Sequence, residues 1–167
     1  GIQGYLASIS FADAMLGRVL DALENGPNSD NTVVVLWSDH GWHLGEKQHW
    51  QKYTAWRACT RVPLIVRVPN GVPGLTNGTA AGTTCSKPVN LLSFYPTLTE
   101  LAGLPPKSDN DGPSLVPLLE DSNADWKHTS VTFLGDAGSY GMSTEDWRYI
   151  HYANDDEELY DSAADRY

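Results

Sequence analysis

Thr32-Val33-Val34-Val35-Leu36-Trp37-Ser38-Asp39-His40-Gly41-Trp42-His43-Leu44-Gly45-Glu46-Lys47-Gln48-His49-Trp50-Gln51-Lys52 is the stretch on which the fold turns. Its first six residues form an unbroken apolar, β-branched run, the pattern expected of a strand buried inside a parallel sheet. An Asp-His pair follows at once. Open α/β sheets bind their ligands at the carboxyl ends of such strands, and this pair sets a carboxylate oxygen beside an imidazole nitrogen. Gly41 and Gly45 let the loop turn tightly. His43, His49, Lys47 and Lys52 then follow within a dozen residues, a density of titratable groups that surface decoration does not explain.

Working outward, Tyr5, Ile9, Ala12, Leu16, Val19, Leu20 and Leu23 recur at helical spacing and predict an amphipathic helix that Asn25-Gly26-Pro27 stops. Tyr53 to Cys59 predicts a short helix and Pro63 to Val68 a second buried strand. Residues 70–84 are rich in Gly, Thr and Pro and read as a surface loop. Leu91 to Leu101 predicts a further helix, ended by Gly103 and Pro105-Pro106. After the polar linker Lys107 to Pro113, the pattern changes at Ser130 to short strands at Val131–Leu134, Met142–Ser143, Trp147–His151 and Glu158–Tyr160, spaced as an antiparallel meander.

Composition narrows the function classes. With 41% apolar residues and six Trp the chain can build a core, and its ten Pro and fifteen Gly imply many loops. A net charge of −10 disfavours nucleic acid and anionic membrane as partners. The same charge would repel a polyanionic ligand at long range, so attraction to an anion must be local. Cys59 and Cys85 do not make a disulfide framework, and a bridge between them is not expected. No run is long and apolar enough for a membrane span.

Taken by themselves, Asp39 and His40 admit two readings. Asp39 can cap a short helix, with His40 satisfied by backbone. Alternatively both are ligands of a divalent cation. Hard cations prefer oxygen donors, so calcium or magnesium suits the carboxylate; one nitrogen ligand is tolerable and would otherwise point to zinc. Asn77-Gly78-Thr79 forms a glycosylation sequon in the loop. Asp155-Asp156-Glu157-Glu158 reads as a solvated turn, and Arg148, Tyr149 and Tyr152 as interstrand packing rather than a substrate subsite.

The ordered set Ser38-Asp39-His40-Gly41-Trp42-His43-Leu44-Gly45-Glu46, Trp50, Lys52 and Arg61-Val62-Pro63-Leu64-Ile65-Val66 resembles the sulfatases, most closely the iduronate-2-sulfatase and choline-sulfatase type. The likeness continues through Val89 to Leu98, Leu101-Ala102-Gly103-Leu104, Gly112 to Leu119, Trp147 to Tyr152 and Glu158-Leu159-Tyr160-Asp161. It implies an α/β fold: the latter part of an alkaline-phosphatase-like sheet with flanking helices over residues 1–118, and a small antiparallel subdomain over 119–167.

The resemblance further implies a calcium-dependent sulfuric ester hydrolase acting on a sulfated small molecule or glycan. Asp39 and His40 match its metal ligands and Lys52 its sulfate anchor, a compact cation with three donors for a tetrahedral oxyanion. His43 matches a candidate acid/base or pocket residue, and His49 a weaker substrate-binding candidate. Lys47-Gln48 departs from the His-Gly that many relatives carry, which bears on the sulfate pocket. The family nucleophile is a formylglycine made from Cys/Ser-x-Pro-x-Arg. Neither Cys59-Thr60-Arg61 nor Cys85-Ser86-Lys87-Pro88 fits that pattern, and the family's upstream Asp-Asp metal pair has no counterpart. The expectation is therefore a C-terminal portion, inactive alone and dependent on the preceding part of the same protein. A periplasmic, extracellular or lysosomal location is expected for the whole. Two alternatives stand beside this: a phosphate or phosphonate ester hydrolase of the same superfamily, and a non-catalytic remnant that binds sulfated glycans.

Overall fold

A computed structural model describes residues 1–75 and 77–165. Helix α1 spans Ile2–Glu24 and stops where Asn25 donates back to the Asp21 carbonyl. Strand β1 (Val34–Trp37) follows, then the two-residue strands β2 (His43–Leu44) and β3 (Trp50–Gln51), the single-turn helix α2 (Arg57–Thr60) and strand β4 (Leu64–Arg67). The helix predicted over 53–59 thus begins later, at Arg57, because Tyr53 is left-handed (φ 69°) and Trp56 is extended.

The strand expected inside a parallel sheet pairs instead with β4 in antiparallel register, Val34 opposite Arg67 and Trp37 opposite Leu64. Nor is it fully buried. One face of the pair, with Val35 and Val66, lines a crevice with Phe94, Thr97, Leu98 and Leu115, and Trp37 meets Phe94 edge-on at 5.1 Å. The opposite face presents Leu36 and Ile65, 37% and 59% exposed. An apolar run records that a strand favours burial, but it does not record its neighbour's direction or which layer covers it.

The segment expected as one helix over 91–101 opens with a 3₁₀ turn, Leu91–Ser93, and continues as α3, Phe94–Leu101. Asn90 sets that start: its Oδ1 accepts from the Leu92 amide (3.0 Å) while its Nδ2 donates to the Val131 carbonyl (2.6 Å), tying the helix to the later strands. Thr97, buried, donates back to Ser93 and accepts from the Leu115 amide at 2.8 Å, which seats the short helix α4 (Val116–Glu120). Leu75, Leu101 and Val116 form the small apolar core here, with Val33, Val68, Val72 and Leu119 around it.

The antiparallel meander is as the sequence predicts. Strands β5 (Ser130–Phe133), β6 (Tyr140–Ser143), β7 (Trp147–His151) and β8 (Glu157–Asp161) pair in order 5-6-7-8. Ile150, fully buried, marks the inner face. Cys59 is buried, Cys85 is exposed, and both are free thiols. No helix among the described residues is long and apolar enough to cross a membrane.

Candidate functional site

Strand β1 ends at Trp37, and the backbone then turns so that Asp39 and His40 project from its carboxyl end. Ser38 Oγ donates to the His40 carbonyl (2.7 Å), and Asp39 Oδ1 accepts from the His40 amide (3.0 Å). The loop is held close to α2. Gly41 donates its amide to the Cys59 carbonyl at 2.7 Å, and a Cβ at Gly41 would lie 2.0 Å from the Ala58 oxygen, so only glycine fits. Asp39 Oδ2 faces outward from a side chain that is 81% exposed, and lies 3.5 Å from His40 Nε2.

The His40 tautomer follows from its partners. Nδ1 lies 2.9 Å from the Gly41 carbonyl, which can only accept, so Nδ1 carries the hydrogen and Nε2 keeps its lone pair. That lone pair faces Lys52 Nζ at 3.0 Å. Three sequence-identified residues, Asp39, His40 and Lys52, are therefore brought together at one point although Lys52 stands twelve positions away from His40.

Lys52 reaches this point through the β2–β3 hairpin, in which His43 pairs with Gln51 and Leu44 with Trp50. Gly45 (φ 120°) opens the turn, and Glu46 Oε2 accepts from the Leu44 amide at 2.6 Å. On both sides of Lys52 the backbone is left-handed at non-glycine residues: Gln51 at φ 76° and Tyr53 at φ 69°. Such conformations persist only where the surroundings fix them.

His43 and His49 contact each other and the Trp56 ring. His43 is 1% exposed. Its Nε2 is 2.7 Å from Thr54 Oγ1, while Nδ1 is buried with no hydrogen-bond partner and 4.0 Å from Glu46 Oε2. Its ring stands edge-on to those of His49 (5.0 Å) and Trp56 (5.7 Å). Burial, and secondarily His49, lower the His43 pKa against an opposing pull from Glu46. His49 donates from Nε2 to the Lys52 carbonyl at 3.1 Å, gripping the lysine by its backbone. Within this chain His43 meets Thr54, His49 and Trp56, and His49 meets the Lys52 backbone.

Several contributors were not legible from motifs. Arg148, expected in interstrand packing, is 3% exposed and directs Nε (3.0 Å) and Nη2 to the Ala55 carbonyl and Nη1 to Ser143 Oγ (2.9 Å). Burial lowers its pKa to about 10. Glu158, expected in a solvated turn, instead receives Trp56 Nε1–H at 2.8 Å, Tyr152 O–H at 3.0 Å and Tyr160 O–H. Burial would raise its pKa, but these three donors outweigh burial and lower it. The expectation fails for Glu158 because β8 turns alternate residues inward; Glu157, Asp156 and Asp155 are exposed. Asn77 of the sequon donates to Glu120 Oε1 at 3.1 Å.

The donor chemistry of Asp39 and His40 suits part of a hard cation's shell. An outward carboxylate lies beside an imidazole whose lone pair is oriented by a backbone carbonyl, the arrangement that metal-bound histidines use. Among the described residues no group of three or more His, Cys, Asp or Glu converges as a metal site, so these two supply a partial set.

Residues 1–104 match the sulfatase family model. The chain belongs to the sulfatase family. A sulfatase of Formosa agariphila is 42% identical over 164 residues, covering 98% of this chain and 31% of the relative; iduronate 2-sulfatases and a choline-sulfatase are among other relatives. The structure of BT4656 in complex with its substrate D-glucosamine-2-N,6-O-disulfate superposes with a TM-score of 0.84 at 34% identity, over 97% of this chain and 34% of that one. The phosphonate monoester hydrolase of Agrobacterium radiobacter superposes with a TM-score of 0.74 at 28% identity, over 95% and 34%. This sulfatase chain thus spans about a third of the length of the relatives it matches. The mixed α/β fold expected from the resemblance is the fold of these neighbours.

Proposed function

We propose that the protein carrying this chain hydrolyses sulfate esters, and that Asp39, His40 and Lys52 are this chain's contribution to the reaction. The observation that carries the reading is the meeting of Lys52 Nζ, His40 Nε2 and Asp39 Oδ2 at the end of β1. Asp39 and His40 would hold a divalent cation that accepts oxygen donors, calcium in preference to magnesium as the likeness to the sulfatases implies. A cation so held polarises a sulfate oxygen and offsets the charge that develops on it. Lys52 presents an ammonium to the same oxygens, a preorganised donor that costs no reorganisation as charge accumulates. The formylglycine nucleophile and the remaining cation ligands belong to parts of the protein outside this chain.

A sulfated small molecule or glycan is the proposed substrate, in line with the sulfated glucosamine that BT4656 takes. The second reading, a phosphate or phosphonate ester, is favoured by the likeness to a phosphonate monoester hydrolase, which shares the fold at lower identity. Turnover of 4-nitrophenyl sulfate and a 4-nitrophenyl phosphonate monoester by the full-length protein separates the two. The sulfate reading expects the larger kcat/KM on the sulfate, lost with chelator and restored by calcium. A larger value on the phosphonate would overturn it.

A further inference from the structure

We propose that Glu158 is a positioning residue for Lys52, acting through Trp56 and His49, and that the C-terminal sheet is thereby part of the working site. This rests on the role given above to Lys52. The loop from His49 to Trp56 carries Lys52 between two left-handed residues, Gln51 and Tyr53, and local sequence does nothing to favour that backbone. External contacts must hold it.

Those contacts come from the meander. Two carboxylate oxygens of Glu158 accept from three donors, Trp56 Nε1–H, Tyr152 O–H and Tyr160 O–H. The first of these fixes the indole that forms the wall against His49, with ring centres 6.0 Å apart. His49, so backed, donates to the Lys52 carbonyl. Lys47 adds its ammonium over the Tyr160 ring at 4.6 Å and over Trp56 at 5.5 Å, closing the cluster on its outer side. Arg148 clasps the carbonyl of Ala55, three residues further on, and Arg57 Nη1 donates to the Ser162 carbonyl at 2.7 Å. Glu158 gathers three of these donors on one carboxylate. Gln in its place keeps the shape but offers a single oxygen and turns an N–H₂ toward a donor.

The test is Glu158→Gln in the full-length protein, alone and combined with Lys52→Ala. If Glu158 works through Lys52, Glu158→Gln lowers kcat on 4-nitrophenyl sulfate about ten- to a hundredfold with KM held within about twofold, and costs nothing further in the Lys52→Ala background. Hydrogen exchange gives a readout free of activity: amides of 49–56 exchange faster in Glu158→Gln while those of α3, 94–101, do not change. Equal kinetic losses in both backgrounds, or exchange that rises in α3 as much as in the loop, would mean general damage and overturn the proposal. Unchanged exchange in 49–56 overturns it as well. Should Glu158→Gln fail to fold, Trp56→Phe removes the indole donor and faces the same measurements. A full-length protein inactive on sulfate esters would sink the functional reading, while the exchange experiment would still decide the tether.

Discussion

Lys52 and Asp39 carry different chemistry, and their variants separate it. In the full-length protein Lys52→Ala removes a donor aimed at the transferring group and frees His40 Nε2, while Asp39 and His40 both stay in place as cation ligands. Turnover is expected to fall about a hundred- to a thousandfold, about 2.7–4 kcal/mol of transition-state stabilisation, with metal content unchanged. Asp39→Ala deletes the charged ligand, so activity and bound calcium should fall together. Metal analysis beside steady-state kinetics on both purified variants checks the pair; near-wild-type turnover in Lys52→Ala refutes its role as sulfate anchor. The meeting of Asp39, His40 and Lys52 was legible because the resemblance sets all three in one pocket, and the β2–β3 hairpin brings Lys52 back to the end of β1. The direction of His43 was not. It depends on the hairpin register that pairs His43 with Gln51 and turns its ring inward, toward Trp56.

At the scale of elements, the β2–β3 hairpin and the seat of Gly41 on α2 set how this region responds to pH and to added volume. His43 is held neutral by burial, with His49 adding to the effect, so its folded pKa lies below the ordinary 6.5. The unfolded chain then takes up its proton first as pH drops below about 6.5, and stability present above that value is lost as pH falls toward the depressed folded pKa. Thermal melts of the full-length protein from pH 7.5 to 5 should show this loss, and His43→Gln should flatten it. An equal slope in the variant would place the dependence elsewhere. Gly41→Ala forces a Cβ to 2.0 Å from the Ala58 oxygen. The displacement should cost about 1–3 kcal/mol by urea denaturation, along with a loss of activity larger than the stability loss explains. The meander and the helices were readable from period and punctuation. The partner of β1 was not, because a strand's own residues do not encode whether its neighbour, here thirty positions on, runs parallel or antiparallel.

For the whole molecule, the described chain leaves apolar surface open. Leu36 and Ile65 stand out from the β1–β4 pair, and along α1 Phe11 and Val19 are 68% and 65% exposed. Surfaces of this kind belong against protein. Expressed alone, the 167 residues should bind a hydrophobic dye such as ANS, hydrolyse no 4-nitrophenyl sulfate above a buffer blank, and take calcium no tighter than millimolar, since two donors leave most of a six-to-eight-ligand shell unfilled. Micromolar affinity by titration calorimetry would contradict the two-donor assignment. The ties between loop and meander also set an order of biogenesis. Trp56 and Glu158 are 102 residues apart, and Arg57 and Ser162 are 105. At about 5–20 residues per second of synthesis, the loop leaves the ribosome several seconds before its partners exist. A message interrupted just ahead of β8 would yield a polypeptide with Asp39, His40 and Lys52 all present but without the Glu158 carboxylate that ties down the Trp56 indole.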